Sequence, residues 1–289
     1  GHTTSETTVA DNLTVTGDFA AGNFKFGGAN FSNSLLVGHS TTGTLDAAED
    51  NVGVGNAALD ALTTGDKNVA VGSGAGGANE TGFEAVYVGY QAGVNATSTY
   101  NTAVGSTAMQ SMTSGNKNTA VGRRALFYCT TAGFNTAIGY EAGKAIGQSG
   151  ASGQYNIALG YQSGDNITSG SGNVIIGKAD VSSATGDDQL SISDGEDGSV
   201  AWITGDSSGN LTFPADATLG DDLYLDSDSS VIHFGDDGDV TVTHDPDDGL
   251  ILKSAATADN NPFLLTIQTG ETDIAADDVI GTINFQAPD

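Results

Sequence analysis

The chain has 289 residues, 42 of them glycine and only 7% aromatic, and its 36 acidic against 8 basic side chains give a formal net charge of −28. This charge argues against nucleic-acid or anionic-membrane partners, which would repel the protein, and no apolar run approaches the ~18 residues of a membrane span. The composition also argues against a single large core, so we do not expect an enzyme and favour a structural protein.

Residues 1–33 precede the repeats and are predicted to form a β stem or connector. They contain the alternating segment DNLTVTGDF, from Asp11 to Phe19. The chain opens on Gly-His and stops in INFQAPD, and we therefore expect it to be a piece of a longer protein.

Residues 34–185 contain nine copies of a five-residue core, Asn-x-small-aliphatic-Gly. The core glycines are separated by 17, 17, 17, 16, 17, 17, 21 and 17 residues. A unit of this length is too short for a helical hairpin and lacks helix-forming residues. It is typical of one coil of a parallel β-solenoid, so we predict about nine coils, with the four extra residues near Gln148 to Gly153 bulging out as a surface loop.

The core predicts two different faces for its strand. Successive side chains point to opposite sides, so the third position, mostly Ala, lies on one face and the second and fourth positions on the other. We expect the small third-position residues to pack inside the coil. The aliphatic face needs a partner that one chain does not supply, so we predict an interchain column formed by Val54, Val71, Val88, Val104, Val121, Ile138, Leu159 and Ile176.

The rest of the unit repeats as well. Two sets of apolar residues align in it: Leu59, Met109 and Leu126, and three residues later Leu62, Met112 and Cys129. This alignment predicts that the lone cysteine is buried as a small apolar residue. The glycines at 65, 115 and 170 are expected to lie in turns that need a positive φ.

The core followed by G-x-x-A resembles the head repeats of trimeric autotransporter adhesins of the YadA type, and is still more similar to repeats of bacteriophage tail fibres. The adhesin heads are left-handed parallel β-rolls in which three chains pack around one axis, so the resemblance implies a homotrimer. The flanking segments, DNLTVTGDF and residues 222–252, are similar to parts of phage fibre and other virion proteins, notably those of marine phages.

Residues 186–289 are far more acidic than the repeats, with 23 acidic residues against the single base Lys253, so a domain boundary is predicted near residue 185. Within 186–254, short apolar segments at 223–225, 231–234, 240–243 and 250–252 alternate with Asp/Gly turns. This pattern predicts an acidic β region, trimeric like the repeats. Residues 255–289 are predicted to form a further β segment that is truncated.

The acidic turns raise the question of a metal. Turn chemistry alone explains Asp and Gly there, and no cofactor is expected; calcium is the alternative, because it binds clustered carboxylate oxygens. No EF-hand or nonapeptide calcium motif is present. The candidate ligands are Asp226, Asp228, Asp236, Asp237, Asp239, His233 and His244.

Three tyrosines recur directly after core glycines: Tyr90, Tyr140 and Tyr161. Aromatic rings stack on sugars, so these are candidate glycan contacts. The competing interpretation is a ladder of rings at the solvent edge that supports the stack.

Three functions remain open. The first is a homotrimeric attachment protein, a phage tail-fibre segment or a bacterial trimeric surface adhesin or extracellular filament. Its partners would be other virion or fibre proteins and a host glycan or outer-membrane receptor, and its location would be the virion or an extracellular surface.

The second function, a polysaccharide depolymerase, needs a carboxylate pair, yet the repeat acids are scattered. The third, a monomer that binds a regular surface such as ice, needs a threonine array, yet the second core position is Thr in only three coils.

Overall fold

The structure is a computed structural model that describes residues 24–28, 31–38, 45–219, 223, 225, 231–234, 240–245 and 249–254. These residues contain no helix, so the described chain is all-β. It divides into two compact units, residues 1–217 and 218–289. The strands are β1 (Phe24–Gly28), β2 (Phe31–Val37), β3 (Ala48–Glu49), β4 (Val52–Val54), β5 (Val69–Val71), β6 (Val86–Val88), β7 (Thr102–Val104), β8 (Thr119–Val121), β9 (Thr136–Ile138), β10 (Ile157–Leu159), β11 (Val174–Ile176), β12 (Leu190–Ser193), β13 (Ala201–Gly205), β14 (Leu211–Thr212), β15 (Val231–Phe234), β16 (Val240–Asp245) and β17 (Gly249–Ser254).

The first unit is the predicted parallel β-solenoid. β2 and β4 through β12 pair in parallel in chain order, and the cores stay in register, as Val52 with Val69 and Thr119 with Thr136 illustrate. Antiparallel strands close both ends of this sheet, β1 on β2 and β13 and β14 beyond β12. β12 lies past residue 185, so the parallel sheet continues into the acidic region. The 21-residue unit keeps β9 and β10 paired while Gln148 and Ser149 bulge into solvent, as predicted.

The inside of each coil is lined by small residues, as the core pattern predicts. Third-position residues such as Ala103 and Ala120 are fully buried, and a column of buried alanines faces them from the turn half of the coil. The two aligned apolar sets are also buried, including Cys129. Burial raises the pKa of the Cys129 thiol to about 12, which keeps it protonated and unreactive.

A column of buried asparagine side chains joins the coils. Each first-position Asn accepts, at its Oδ1, the backbone N–H of the corresponding residue of the next coil at 2.9 to 3.1 Å. Where the next coil also carries an Asn, the same Oδ1 accepts the Nδ2 of that Asn at 2.9 to 3.3 Å. We call this column the asparagine ladder: Asn51, Asn68, Asn101, Asn118, Asn135, Asn156 and Asn173.

The ladder is interrupted once. Ala85 occupies the first position of the β6 coil, so Asn101 loses the acceptor that the preceding coil offers elsewhere. In the same coil Tyr87 replaces the usual Ala, and its ring occupies space that a Cβ at Gly76 or Gly93 would need. The buried Tyr87 hydroxyl has no hydrogen-bond partner in the described chain, although the Asn101 amide lies nearby. The ladder ends at Gln189, whose backbone N–H and Nε2 both donate to Asn173.

The core glycines are required by both φ and space. From Gly55 to Gly160 their φ values lie between 133° and 140°, and a Cβ on any of them would lie closer than 3.0 Å to the carbonyl of the next core glycine. An L side chain is therefore excluded twice at this position.

The prediction that the glycines at 65, 115 and 170 need a positive φ is wrong. None of them has one; instead, a Cβ at Gly115 would collide with the Ala132 carbonyl of the next coil. Within the repeats, positive φ values occur at the core glycines, at two positions in the turn that follows most core glycines, and at the residue before each Asn, such as Lys117 and Phe134.

The second unit contains a three-stranded antiparallel sheet, β15–β16–β17. Three of the four predicted strands are thus present, whereas Leu223 and Leu225 lie outside any strand.

The asparagine ladder predicts a large effect of Asn118→Ala. The change leaves the Asn135 N–H and amide and the Ala132 carbonyl without their buried partner. We expect the free energy of unfolding to fall by roughly 2 to 4 kcal/mol in denaturant titrations. Asn116→Ala is the matched control, because the Asn116 side chain makes no hydrogen bond in the described chain; equal losses in both variants would contradict the ladder.

Candidate interaction face of the solenoid

The outward side of the parallel sheet carries the predicted aliphatic column. Six of its eight members are 36 to 43% exposed and Val88 and Val104 are half-buried, so no part of the described chain covers this column. The second core positions lie on the same side and are half-buried, except Ile157, which is 44% exposed. We call this surface the outward face.

One edge of the outward face carries a ladder of aromatic and basic residues. It occupies the position just before each Asn, and we call it the leading ladder: Tyr100, Lys117, Phe134 and Tyr155, flanking β7 to β10. Lys117 Nζ lies 6.0 Å from the Tyr100 ring centroid and 5.0 Å from that of Phe134. Phe134 stacks on Tyr155 with centroids 4.8 Å apart and an interplanar angle of 18°.

The opposite edge carries a second ladder at the position after each core glycine. We call it the trailing ladder: Arg123, Tyr140, Tyr161 and Lys178, flanking β8 to β11. Tyr140 stacks on Tyr161 at 5.4 Å and 14°. Arg123 donates a hydrogen bond to the Tyr140 hydroxyl at 2.9 Å and lies over that ring, while Lys178 lies over Tyr161.

The outward face differs in charge from the rest of the chain. From β7 to β11, its two central columns and both ladders contain no acidic residue and three cations, in a protein with 36 acids and 8 bases. Lys117 and Arg123 have no carboxylate partner among the described residues. The outward face between β7 and β11 is therefore electrostatically distinct from the acidic remainder of the chain.

The structure brings two of the three predicted glycan contacts together. Tyr140 and Tyr161 stack along the solenoid axis, and Arg123 and Lys178 lie on their remaining faces. A sugar could stack on these rings only by displacing a neighbour, which favours the ladder interpretation for this pair. Tyr90 lies three coils away, is 55% exposed and makes no ring contact in the described chain, so its role as a glycan contact stays a prediction.

Sequence reasoning missed the leading ladder. Its residues share a position in the repeat but not a residue type, so an alignment centred on the core does not reveal them. The available signal was the 17-residue spacing of Tyr100, Lys117 and Phe134, each directly before the Asn of its coil.

Away from the outward face, the buried Glu141 is the centre of an ionic cluster that joins three coils. Its carboxylate accepts hydrogen bonds from Arg124 at 2.5 Å, Lys144 at 2.9 Å and Gln162 at 3.4 Å. Burial alone would raise the pKa of Glu141, but the hydrogen bonds from Lys144 and Gln162 and the nearby positive charges lower it to about 2. The cluster contributes to stability by linking successive coils.

Asp165 and Asp180 line the same concavity, which the sequence analysis did not identify, and we call them the Asp165–Asp180 pair. Together with Asp197 and Lys178 they line an open concavity of about 390 Å³ at the end of the repeats. Burial, and secondarily the charge of Asp180, raise the pKa of Asp165.

The structure does not test the predicted metal ligands. His233 lies in β15 and His244 in β16, while Asp226, Asp228, Asp236, Asp237 and Asp239 lie outside the described residues. Within the described residues no group of three or more His, Cys, Asp or Glu side chains is arranged to hold a metal.

Turn chemistry explains two aspartates of the acidic region. Asp194 accepts backbone N–H groups of Glu196, Asp197, Gly198 and Val200 at 2.8 to 3.1 Å. These bonds lower its pKa to about 2. Asp206 plays the same part in the turn between β13 and β14, accepting from Ser208 and Asn210.

No protein-family model, curated protein or solved structure matches this chain. In the part of the chain that the structure describes, no helix is long and apolar enough to cross a membrane.

The Glu141 cluster predicts a pH-dependent effect of Glu141→Gln. A carboxyl whose pKa falls from the ordinary 4.5 to about 2 on folding stabilises the fold fully above pH 4.5, and this contribution is lost as the pH falls towards 2. We expect the variant to lose roughly 1 to 3 kcal/mol at pH 7, and the difference from the unmodified chain to shrink below pH 4.5. Glu84→Gln is the control, because Glu84 is exposed and lies 3.9 Å from Lys67. A pH-independent loss in Glu141→Gln would contradict the assignment.

Proposed function

We propose that this chain is a segment of a homotrimeric attachment fibre, of the kind that phage tails carry. The observation that carries the proposal is the outward face, which combines an exposed aliphatic column with aromatic edges along a regular stack of coils. Such a surface on a protein of net charge −28 is suited to burial against further copies rather than to permanent exposure.

Threefold packing fits the chemistry of this face. Facing columns such as Val104, Val121 and Ile138 would form a shared apolar core that the small-residue interior of each coil does not provide. Nine coils at ~4.8 Å each give a section ~40 Å long, and three identical faces raise avidity for a repeated receptor. The function is thus mechanical and multivalent: it extends or presents the site that meets the host.

The location follows from the same proposal. We infer a virion tail fibre, with other fibre proteins as neighbours and a host glycan or outer-membrane protein as the target; a bacterial trimeric surface adhesin is the alternative. Gold-labelled antibodies against the chain should bind the tails of purified phage particles. Labelling of bacterial surfaces instead would favour the adhesin.

A second candidate is carbohydrate hydrolysis at the Asp165–Asp180 pair. A carboxyl with a raised pKa next to a second carboxylate is the arrangement that glycoside hydrolysis uses. The concavity that the pair lines is open and small, so we rank this function below attachment. Release of reducing ends from capsular polysaccharide, abolished in Asp165→Asn, would reverse that order.

Assembly through the aliphatic column is tested by Val121→Asp. Val121 is 36% exposed, so the coil should tolerate the change, whereas three carboxylates would meet in a buried interface and block association. We expect circular dichroism to stay unchanged and sedimentation velocity to detect monomers. The control is Val94→Asp, a half-buried valine in the turn half of the β6 coil. An unchanged assembly in Val121→Asp would show that the column is not the interface.

A further inference from the structure

The aromatic pairs of the two ladders lie at the same two coils. Phe134 and Tyr155 precede β9 and β10, and Tyr140 and Tyr161 follow the same two strands. Thr136 pairs with Ile157 in the register of β9 on β10, so both aromatic pairs lie at the same height along the solenoid axis. At these two coils the outward face carries no charged residue from one edge to the other.

Equal height of the two aromatic pairs matters if copies of the chain form a closed ring. Rotation about an axis, without translation, brings one edge of a copy against the opposite edge of the next copy at the same height. We propose, resting on the homotrimer of the proposed function, that the Phe134–Tyr155 stack of each copy packs against the Tyr140–Tyr161 stack of its neighbour. The trimer then has three identical aromatic seams at the level of β9 and β10.

The rings are available for such a contact. Phe134 is 39% exposed, Tyr155 59% and Tyr161 48%. Because each pair stacks along the axis, the ring edges point away from the coil, and edge contacts between rings are a favoured aromatic geometry. Burial of these edges across the seam would remove two stacked aromatic pairs from water.

The neighbouring coils limit the seam to β9 and β10. At the height of β8 the two edges carry Lys117 and Arg123, so like charges would face each other across copies. At the height of β6 the edges carry Glu84 and Tyr90, which offer no aromatic match. Lys117 and Arg123 lie over Phe134 and Tyr140, next to the seam, where their charges can remain solvated.

Cysteine cross-linking tests the seam directly. In Phe134→Cys/Tyr140→Cys the two sites of one chain are separated by the extended strand β9, roughly 10 Å or more, whereas a disulfide needs Cα atoms within roughly 7 Å. A bond can therefore form only between copies. The native Cys129 is buried and will not compete.

Mild oxidation of the full chain should give a covalent band of three chains on a non-reducing denaturing gel. Phe134→Cys/Tyr90→Cys is the control, because its sites lie three coils apart in height, ~14 Å, and should not cross-link. A trimer that gives no such band overturns the seam and leaves the proposed function intact. An unmodified chain that is monomeric overturns both, and a band that stops at two chains or extends beyond three overturns the closed ring.

The cysteine substitutions remove rings of the seam, so a second pair of variants tests the seam without cysteine. Tyr140→Ser/Tyr161→Ser introduces the residue that coils β5 and β7 carry at this position, Ser73 and Ser106. We expect the protein concentration at which the trimer dissociates to rise about tenfold or more in this double variant. The same concentration should stay unchanged in Tyr90→Ser. Equal behaviour of the two variants would overturn the seam.

Discussion

The hydrogen bonds of the asparagine ladder set the geometry on which the rest of the solenoid depends. Each Asn amide lies inside the coil and its Oδ1 accepts the backbone N–H of the next coil, so successive coils must place the corresponding backbone position at the same point. A buried amide without its partner is costly, which makes the register between coils strict. The core glycines follow from it, because coils held this closely leave no room for a Cβ at that turn.

The strict register also determines the outer surface. Once every strand is aligned, the residues before and after the core form straight columns, and a Tyr or Lys at one position lies directly on its counterpart in the next coil. The two aromatic and basic ladders and the aliphatic column are therefore consequences of the ladder inside. The interior holds mostly alanine, so much of the large apolar and aromatic surface lies outside, on a face that no described part of the chain covers. This division links the fold to the proposed assembly.

The five-residue core was sufficient to predict the solenoid, its coil count and the inward Ala column, because strand alternation is a local property. Cys129 was placed correctly by the same alignment. The glycines at 65, 115 and 170 were misjudged, because close approach between coils, rather than φ, requires them. The leading ladder needed the position before each Asn to be compared across coils. Asp165 and Asp180 are fifteen residues apart in the sequence and line one concavity only through the turn between coils, which the repeat pattern does not specify.

In the proposed assembly, copies of this chain cover the outward face. The most direct measurement is the mass of the particle in solution, by native mass spectrometry or multi-angle light scattering at a protein concentration held constant. Three chains of 28.9 kDa predict a species near ~87 kDa. A stable species of 28.9 kDa would contradict the account and leave the outward face to a different partner.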